Sequence, residues 1–233
     1  SSHGSLDESE DEIYETQLNV VATNSMPKDD WIKTRAFSIM TALLHFDKLL
    51  QIPFMVINKV CSVSYRELIE TFTEGQLGSF PTISELQSFN ANQARDLQNG
   101  GPEFVGSEKF LNMLWPADEY MFIRLCVENN LNHFYEDAEK LLNIFLRDKF
   151  LSLPSGLLHE AIILNKSLLK QPFQTEDLDL ELSYNIWEFY QATLIGDDVP
   201  LEQKSRKYHI NRSSDTWLSW DDWCREVVWY GNS

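Results

Sequence analysis

The sequence predicts a mainly α-helical fold: a domain of about eight helices with two or three short strands. Three observations carry this. Apolar residues recur at the 3.6-residue period, most clearly at Leu131, Phe134, Tyr135, Ala138, Leu141, Leu142, Phe145 and Leu146. Helix-start signatures recur, and Ser64-Tyr65-Arg66-Glu67 and Thr82-Ile83-Ser84-Glu85 both match the capping box. Strict alternation, the mark of a half-buried strand, is confined to short stretches such as Asp177–Leu182.

The elements follow in order. Ser1-Ser2-His3-Gly4-Ser5 has the look of a tag remnant, and an acidic tail expected to be disordered continues to residue 12. A single helical domain is expected over 13–233. Residues 13–23 are β-prone and read as one strand. Asn24 or Ser25 is expected to cap the first helix, with Asp29 and Asp30 near its positive end. Ala36, Phe37, Met40, Leu43 and Leu44 share one helical face, and Pro53 is expected to end or kink that helix.

Leu68, Ile69 and Phe72 continue from the Ser64 box to a stop at Gly75, and Leu86, Phe89 and Leu97 continue from the Thr82 box. Asn99-Gly100-Gly101-Pro102 breaks the chain. Trp115-Pro116-Ala117-Asp118-Glu119 opens a helix with Phe122, Leu125 and Cys126 on one face, and Asn129-Asn130 turns into the Leu131 helix. After Pro154, Leu157, Leu158, Ala161, Ile162, Leu168 and Leu169 mark another helix. Trp187, Tyr190 and Leu194 mark a short one ending at Gly196. Arg206–Ile210 is a second strand able to pair with 177–182, though not as a tight hairpin, because a helix intervenes. Ser219 caps a last helix whose stripe is Trp220, Trp223, Cys224, Val227 and Val228.

Composition narrows the function classes. Net charge is −17, and without the five acids of Asp7–Glu12 the remainder still carries −12. Such a surface repels phosphate, so neither nucleic acid nor an anionic membrane is expected as a partner. Cys61, Cys126 and Cys224 lie far apart, with no CxxC or Cys/His spacing, so structural zinc and a disulfide framework are not expected. Free thiols suit a reducing, cytoplasmic compartment. No apolar run is long enough for a transmembrane helix.

No phosphate-binding glycine motif, HExxH or GxSxG is present, so no residue is assigned as catalytic or metal-binding. His45, His133, His159 and His209 have no second His or Cys at i+3 or i+4, and His45 and Asp47 at i, i+2 would point apart on a helix. With 36 acidic residues, paired carboxylates for a hydrolase are uninformative on their own. Four residues stand out as substrate or interface candidates. Asp118 and Glu119 could line a pocket at a helix start, although complementing the helix dipole is the simpler reading. Trp217 and Trp220 belong to a segment holding four of the seven tryptophans within thirteen residues. That segment could stack on a ligand, although its helical spacing favours core packing.

Three segments carry a resemblance. They are Asp30-Trp31 leading into Thr41-Ala42-Leu43-Leu44-His45-Phe46-Asp47-Lys48-Leu49-Leu50-Gln51-Ile52-Pro53, then Tyr184-Asn185-Ile186-Trp187-Glu188-Phe189-Tyr190, then Trp220-Asp221-Asp222-Trp223-Cys224-Arg225-Glu226-Val227-Val228-Trp229-Tyr230-Gly231-Asn232. In this order they resemble the C-terminal region of cobalamin-binding radical S-adenosylmethionine proteins. The resemblance spans roughly 13–232. It implies an accessory domain that covers an upstream catalytic barrel or selects its substrate, in a parent enzyme with methyltransferase activity as one expectation. It implies an iron–sulfur cluster, S-adenosylmethionine and cobalamin for that parent. None is expected in this chain, which lacks the CxxxCxxC triplet of the superfamily. The alternative expectation is a self-contained helical protein-interaction module. A free-standing hydrolase is a third, and would need a cleft with two acids of separated pKa.

Overall fold

The computed structural model describes residues 20–231 and the backbone of Gly4–Ser5. The acidic tail and most of the expected 13–23 strand lie outside the described residues. Residues 20–22 form no strand, and Thr23 bridges Met26 in a turn. That turn displaces the expected cap: the first helix, α1 (Lys28–Thr41), starts after Pro27 rather than at Asn24 or Ser25. Asp29 and Asp30 do occupy its first turn.

The fold is mainly helical, as the periodicity predicts. α1 runs into a π-helical turn at Ala42–Phe46. After Asp47 and Lys48 the chain bends by 93° into α2 (Gln51–Cys61). Pro53 therefore does not end a helix. It sits in the first turn of α2, where its missing N–H costs nothing. α2 is buried from Gln51 through Ile57, as expected of a helix apolar on all sides. Among the described residues no single helix is long and apolar enough to cross a membrane.

α3 (Tyr65–Thr73) opens on the expected capping box. Ser64 Oγ accepts from the Glu67 N–H, and a Glu67 carboxylate oxygen accepts from the Ser64 N–H, each at 3.2 Å. A hydrogen bond from Lys149 and others from Ser64 hold Glu67 down to about 2. At Gly75 an added Cβ would lie 2.8 Å from the Thr71 carbonyl oxygen, so only glycine follows this helix end without a shift.

The second expected box is not made. α4 (Pro81–Gln98) starts on Pro81, two residues before a Thr82 cap would place it, and the Thr82 N–H donates instead to the buried Asp137 at 3.1 Å. A side chain distant in sequence thus caps this helix. Its buried face is Ile83, Leu86, Asn90 and Ala94, rotated from the expected Leu86, Phe89 and Leu97 stripe.

Gly4–Ser5 (β1), Val105–Ser107 (β2) and Met113–Trp115 (β3) make a small antiparallel sheet with β3 central. α5 (Ala117–Val127), α6 (Leu131–Asp148) and α7 (Leu157–Leu168) follow at the predicted places. β4 (Leu178–Tyr184) pairs antiparallel with β5 (Gln203–Ile210), and α8 (Ile186–Leu194) lies between them in sequence, which rules out a tight hairpin. The chain closes with α9 (Trp220–Trp223), capped by Ser219 Oγ, and a second π-helical turn, Cys224–Trp229.

Two hydrophobic clusters share α2. Phe54 and Ile57 join the larger one, with α1, α3–α6, Leu158 and Ile162 of α7, and Trp223. Ile52, Met55 and Val56 join the smaller one, with α7, β4 and α8. Each fully buried side chain of this size contributes about 1.5–3 kcal/mol.

Candidate functional site

The bend between α1 and α2 organises the site. Its backbone is fixed by Asn165 of α7, 2% exposed. Asn165 Oδ1 accepts from the Ile52 N–H at 3.0 Å. Its Nδ2 lies 2.8 Å from the Lys48 and Leu49 carbonyl oxygens and 3.0 Å from Tyr135 Oη. Lys48 takes a left-handed conformation, φ 62°, inside this clamp. The other side of the bend is held by Tyr190, whose hydroxyl donates to Gln51 Oε1 at 2.7 Å. Asn185 ties the start of α8 to the chain approaching β5. It donates to the Pro200 carbonyl oxygen and accepts from the Glu202 N–H.

A pocket of about 270 Å³ opens at the bend, lined by Phe46, Asp47, Lys48, Glu119 and the chain from Val227 to Gly231. Both π-helical turns border it, one through Phe46 and the other through Val227–Trp229. Such turns insert an extra residue at a cost in helix geometry and concentrate at functional sites. Three aromatic side chains ring the opening. Phe46 is 70% exposed, and Trp229 stacks on Tyr230 with ring centres 5.9 Å apart.

Asp47 is the chemically distinctive group. Its Oδ2 is sealed from solvent and has no hydrogen-bond partner among the described residues. Burial foremost, then repulsion from Asp118 and Glu119, pushes its carboxyl up to about 8, against a weaker pull from Lys48. Near neutral pH it therefore keeps its proton beside other acids. His45 is lowered by burial, and its Nδ1 is likewise covered and unpartnered among the described residues. The expectation that His45 and Asp47 point apart does not prevent both from being desolvated, because the π turn ends between them.

Two of the four candidate residues meet here. Glu119 lines the pocket, and Asp118 acts on the same carboxyl. Their place in the first turn of α5 also complements its dipole. Asp47 was missed because its neighbours come from α5 and the C-terminal turn, which no local pattern brings together. Trp217 and Trp220 lie elsewhere. Trp217 lines a separate groove with Lys170 and Asp222, and Trp220 sits edge-on against Phe173 at 4.9 Å.

The last helix packs inward through a different tryptophan. Trp223 is fully buried, stacks on Phe122 with ring centres 6.1 Å apart, and donates from Nε1 to the Lys170 carbonyl oxygen at 2.8 Å. Cys224, Val227 and Val228 follow it into the core, but Trp220, expected in that stripe, stays 36% exposed. Trp220 instead lies over the outer edge of Trp223, ring centres 6.5 Å apart and nearly perpendicular.

The thiols do not fit an iron–sulfur cluster. Cys126 and Cys224 are buried and Cys61 is partly so, and burial raises all three thiols above their ordinary value. Among the described residues no group of three or more His, Cys, Asp or Glu side chains is placed to hold a metal ion. A carboxyl that holds its proton beside other acids is what general-acid chemistry uses; the Oδ2 of Asp47 is covered, while the residue itself lines the pocket with Glu119. Neither a protein-family model nor a curated protein sequence matches the chain.

Proposed function

We propose that this chain is the C-terminal accessory domain of a cobalamin-dependent radical S-adenosylmethionine enzyme, with methyltransferase activity as the parent chemistry. In this reading the domain supplies no catalytic residue. Its partner is the upstream catalytic barrel of the same chain, in the cytoplasm, with neither nucleic acid nor membrane involved. It covers the barrel mouth or selects substrate, and the cluster, S-adenosylmethionine and cobalamin belong to the parent.

One observation carries the reading. The three segments of the resemblance, distant in sequence, meet around residues 46–52. Phe46, Asp47 and Lys48 share a pocket with Val227–Gly231, and Gln51 is bonded to Tyr190. Their convergence supports a single constellation, and its exposed Phe46, Trp229 and Tyr230 offer a contact surface. The native reading frame tests it. The full-length protein is expected to carry a CxxxCxxC triplet and bind an iron–sulfur cluster. Phe46→Glu and Trp229→Ala should lower its turnover without changing cluster content. A frame without the triplet, or full turnover in both variants, overturns the proposal.

A self-contained interaction module is the second reading. Phe173, Leu218 and Trp220 favour it, being 49%, 94% and 36% exposed, with Phe173 and Trp220 in ring contact. A partner whose binding is lost in Leu218→Glu, while turnover of the parent is unchanged, would select this reading over the first.

A further inference from the structure

The pocket at the bend between α1 and α2 joins two kinds of wall. Its acidic side comes from Asp47 and from Glu119 of α5, which is only half-buried. Its aromatic side comes from Phe46, Trp229 and Tyr230, at 70%, 37% and 59% exposure. A large ring left in water forgoes its apolar burial, and here three do so around one opening.

The acidic side carries more negative charge than its surroundings balance. Asp118 and Glu119 each repel the Asp47 carboxyl more than the Lys48 ammonium attracts it. The dipole of α5 favours Asp118 and Glu119 in its first turn, but Asp47 comes from the bend and has no such support. A positive charge in the pocket would relieve all three acids at once. Its field acts through space, so the covered Oδ2 of Asp47 need not be touched. Glu119 and the three rings are the groups that a ligand meets.

Acids alone would suit any cation, and the rings narrow the class. Aromatic faces attract a weakly hydrated organic cation, and quaternary ammonium groups are held in this way. A metal ion needs several oxygen or nitrogen ligands, and among the described residues no group of three His, Cys, Asp or Glu is placed to hold one. At about 270 Å³ the pocket is smaller than the roughly 300–1,000 Å³ of sites that take a whole drug-sized ligand, so it suits a headgroup.

We propose that this pocket binds an alkylated ammonium group, held against Phe46, Trp229 and Tyr230 with Glu119 as its counter-charge. A small choline-like molecule and an alkylated lysine side chain both carry that group. The inference goes beyond the accessory-domain reading and stands without it, because it needs only residues of this chain. A native frame without the CxxxCxxC triplet would remove that reading and leave this one in place.

The test is an NMR titration of the isotope-labelled full chain at physiological ionic strength, which screens diffuse attraction to the acidic surface. The probes are choline, its uncharged isostere neohexanol, and a short peptide carrying trimethyllysine. Saturable shifts confined to residues 46–48, 119 and 227–231 are expected with choline, the peptide or both, and not with neohexanol. Saturation by choline alone identifies a small-molecule source, and saturation by the peptide alone a protein source. Saturation by both shows that the headgroup is all the pocket reads. Glu119→Gln, which keeps the shape and removes the charge, should weaken binding by about tenfold or more. Tyr230→Ala alters an exposed ring and serves as the second variant if Glu119→Gln does not fold; it should weaken binding by about threefold. The proposal is overturned if neither ammonium probe saturates, if neohexanol binds as well as choline, if the shifts map elsewhere, or if the folded variants bind as the wild type does.

Discussion

Asn165 and Asn90 are equally buried, at 2% and 1% exposure, and differ in every hydrogen bond. Asn165 reaches a backbone N–H, two backbone carbonyl oxygens and a tyrosine hydroxyl, all around the bend that joins α1 to α2. Asn90 reaches none among the described residues and borders a cavity. A buried amide can replace the hydrogen bonds that a bent backbone cannot make for itself, and there it is structural. Where the surrounding backbone is a regular helix with its own bonds made, the amide adds nothing to the fold, and its burial calls for a different account.

The comparison can be broken by mutation. Asn165→Ala should cost about 3–5 kcal/mol in chemical denaturation, because it orphans the Ile52 N–H and the carbonyls at the bend as well as opening a void. A loss below about 1 kcal/mol would remove the contrast. Asp47→Asn sharpens it from the other side of the same bend. The folded carboxyl, at about 8, keeps a proton that the unfolded chain gives up near pH 4. The folded state therefore binds more protons across that window, and stability falls as pH rises from about 4 to about 8. The variant should lose that slope and gain about 2 kcal/mol at pH 9, where the wild type is ionised. Parallel denaturation curves at pH 5 and pH 9 check this, and an unchanged slope would show that Asp47 is solvated.

Ser64→Ala should cost about 1 kcal/mol by the same measurement, the usual worth of a helix cap in which every group is satisfied. Asn90→Leu should be the mildest change, within about 1 kcal/mol of the wild type and on the stabilising side, since it exchanges an unpaired amide for an apolar side chain of similar size. A large loss there would mean that Asn90 has partners in the folded protein and belongs with Asn165.

What could be read from the sequence divides along the same line. The Ser64 box and the Ser219 cap are local, and both form as their spacing predicts. The Thr82 box is equally good locally and is not made, because Pro81 starts the helix and Asp137 arrives from α6. Pro53 reads as a stop because the sequence does not reveal that the helix has already ended at the π turn. The same turn brings Asp47 toward Asp118 and Glu119, so only those two of the three acids could be singled out beforehand. The missed signal for Asn90 was a phase error. Counting the stripe from Ile83 rather than through Phe89 puts a polar residue on the buried face of α4.

α2 belongs to both hydrophobic clusters, Phe54 and Ile57 serving one and Ile52, Met55 and Val56 the other. Neither cluster can open while the other remains intact, because opening either strips one side of the same helix. Amide hydrogen exchange should therefore report one cooperative unit, with the slowest protons of α6 and of α8 exchanging at a common free energy. For a chain assembled from many short elements, that shared helix sets a floor under partial unfolding.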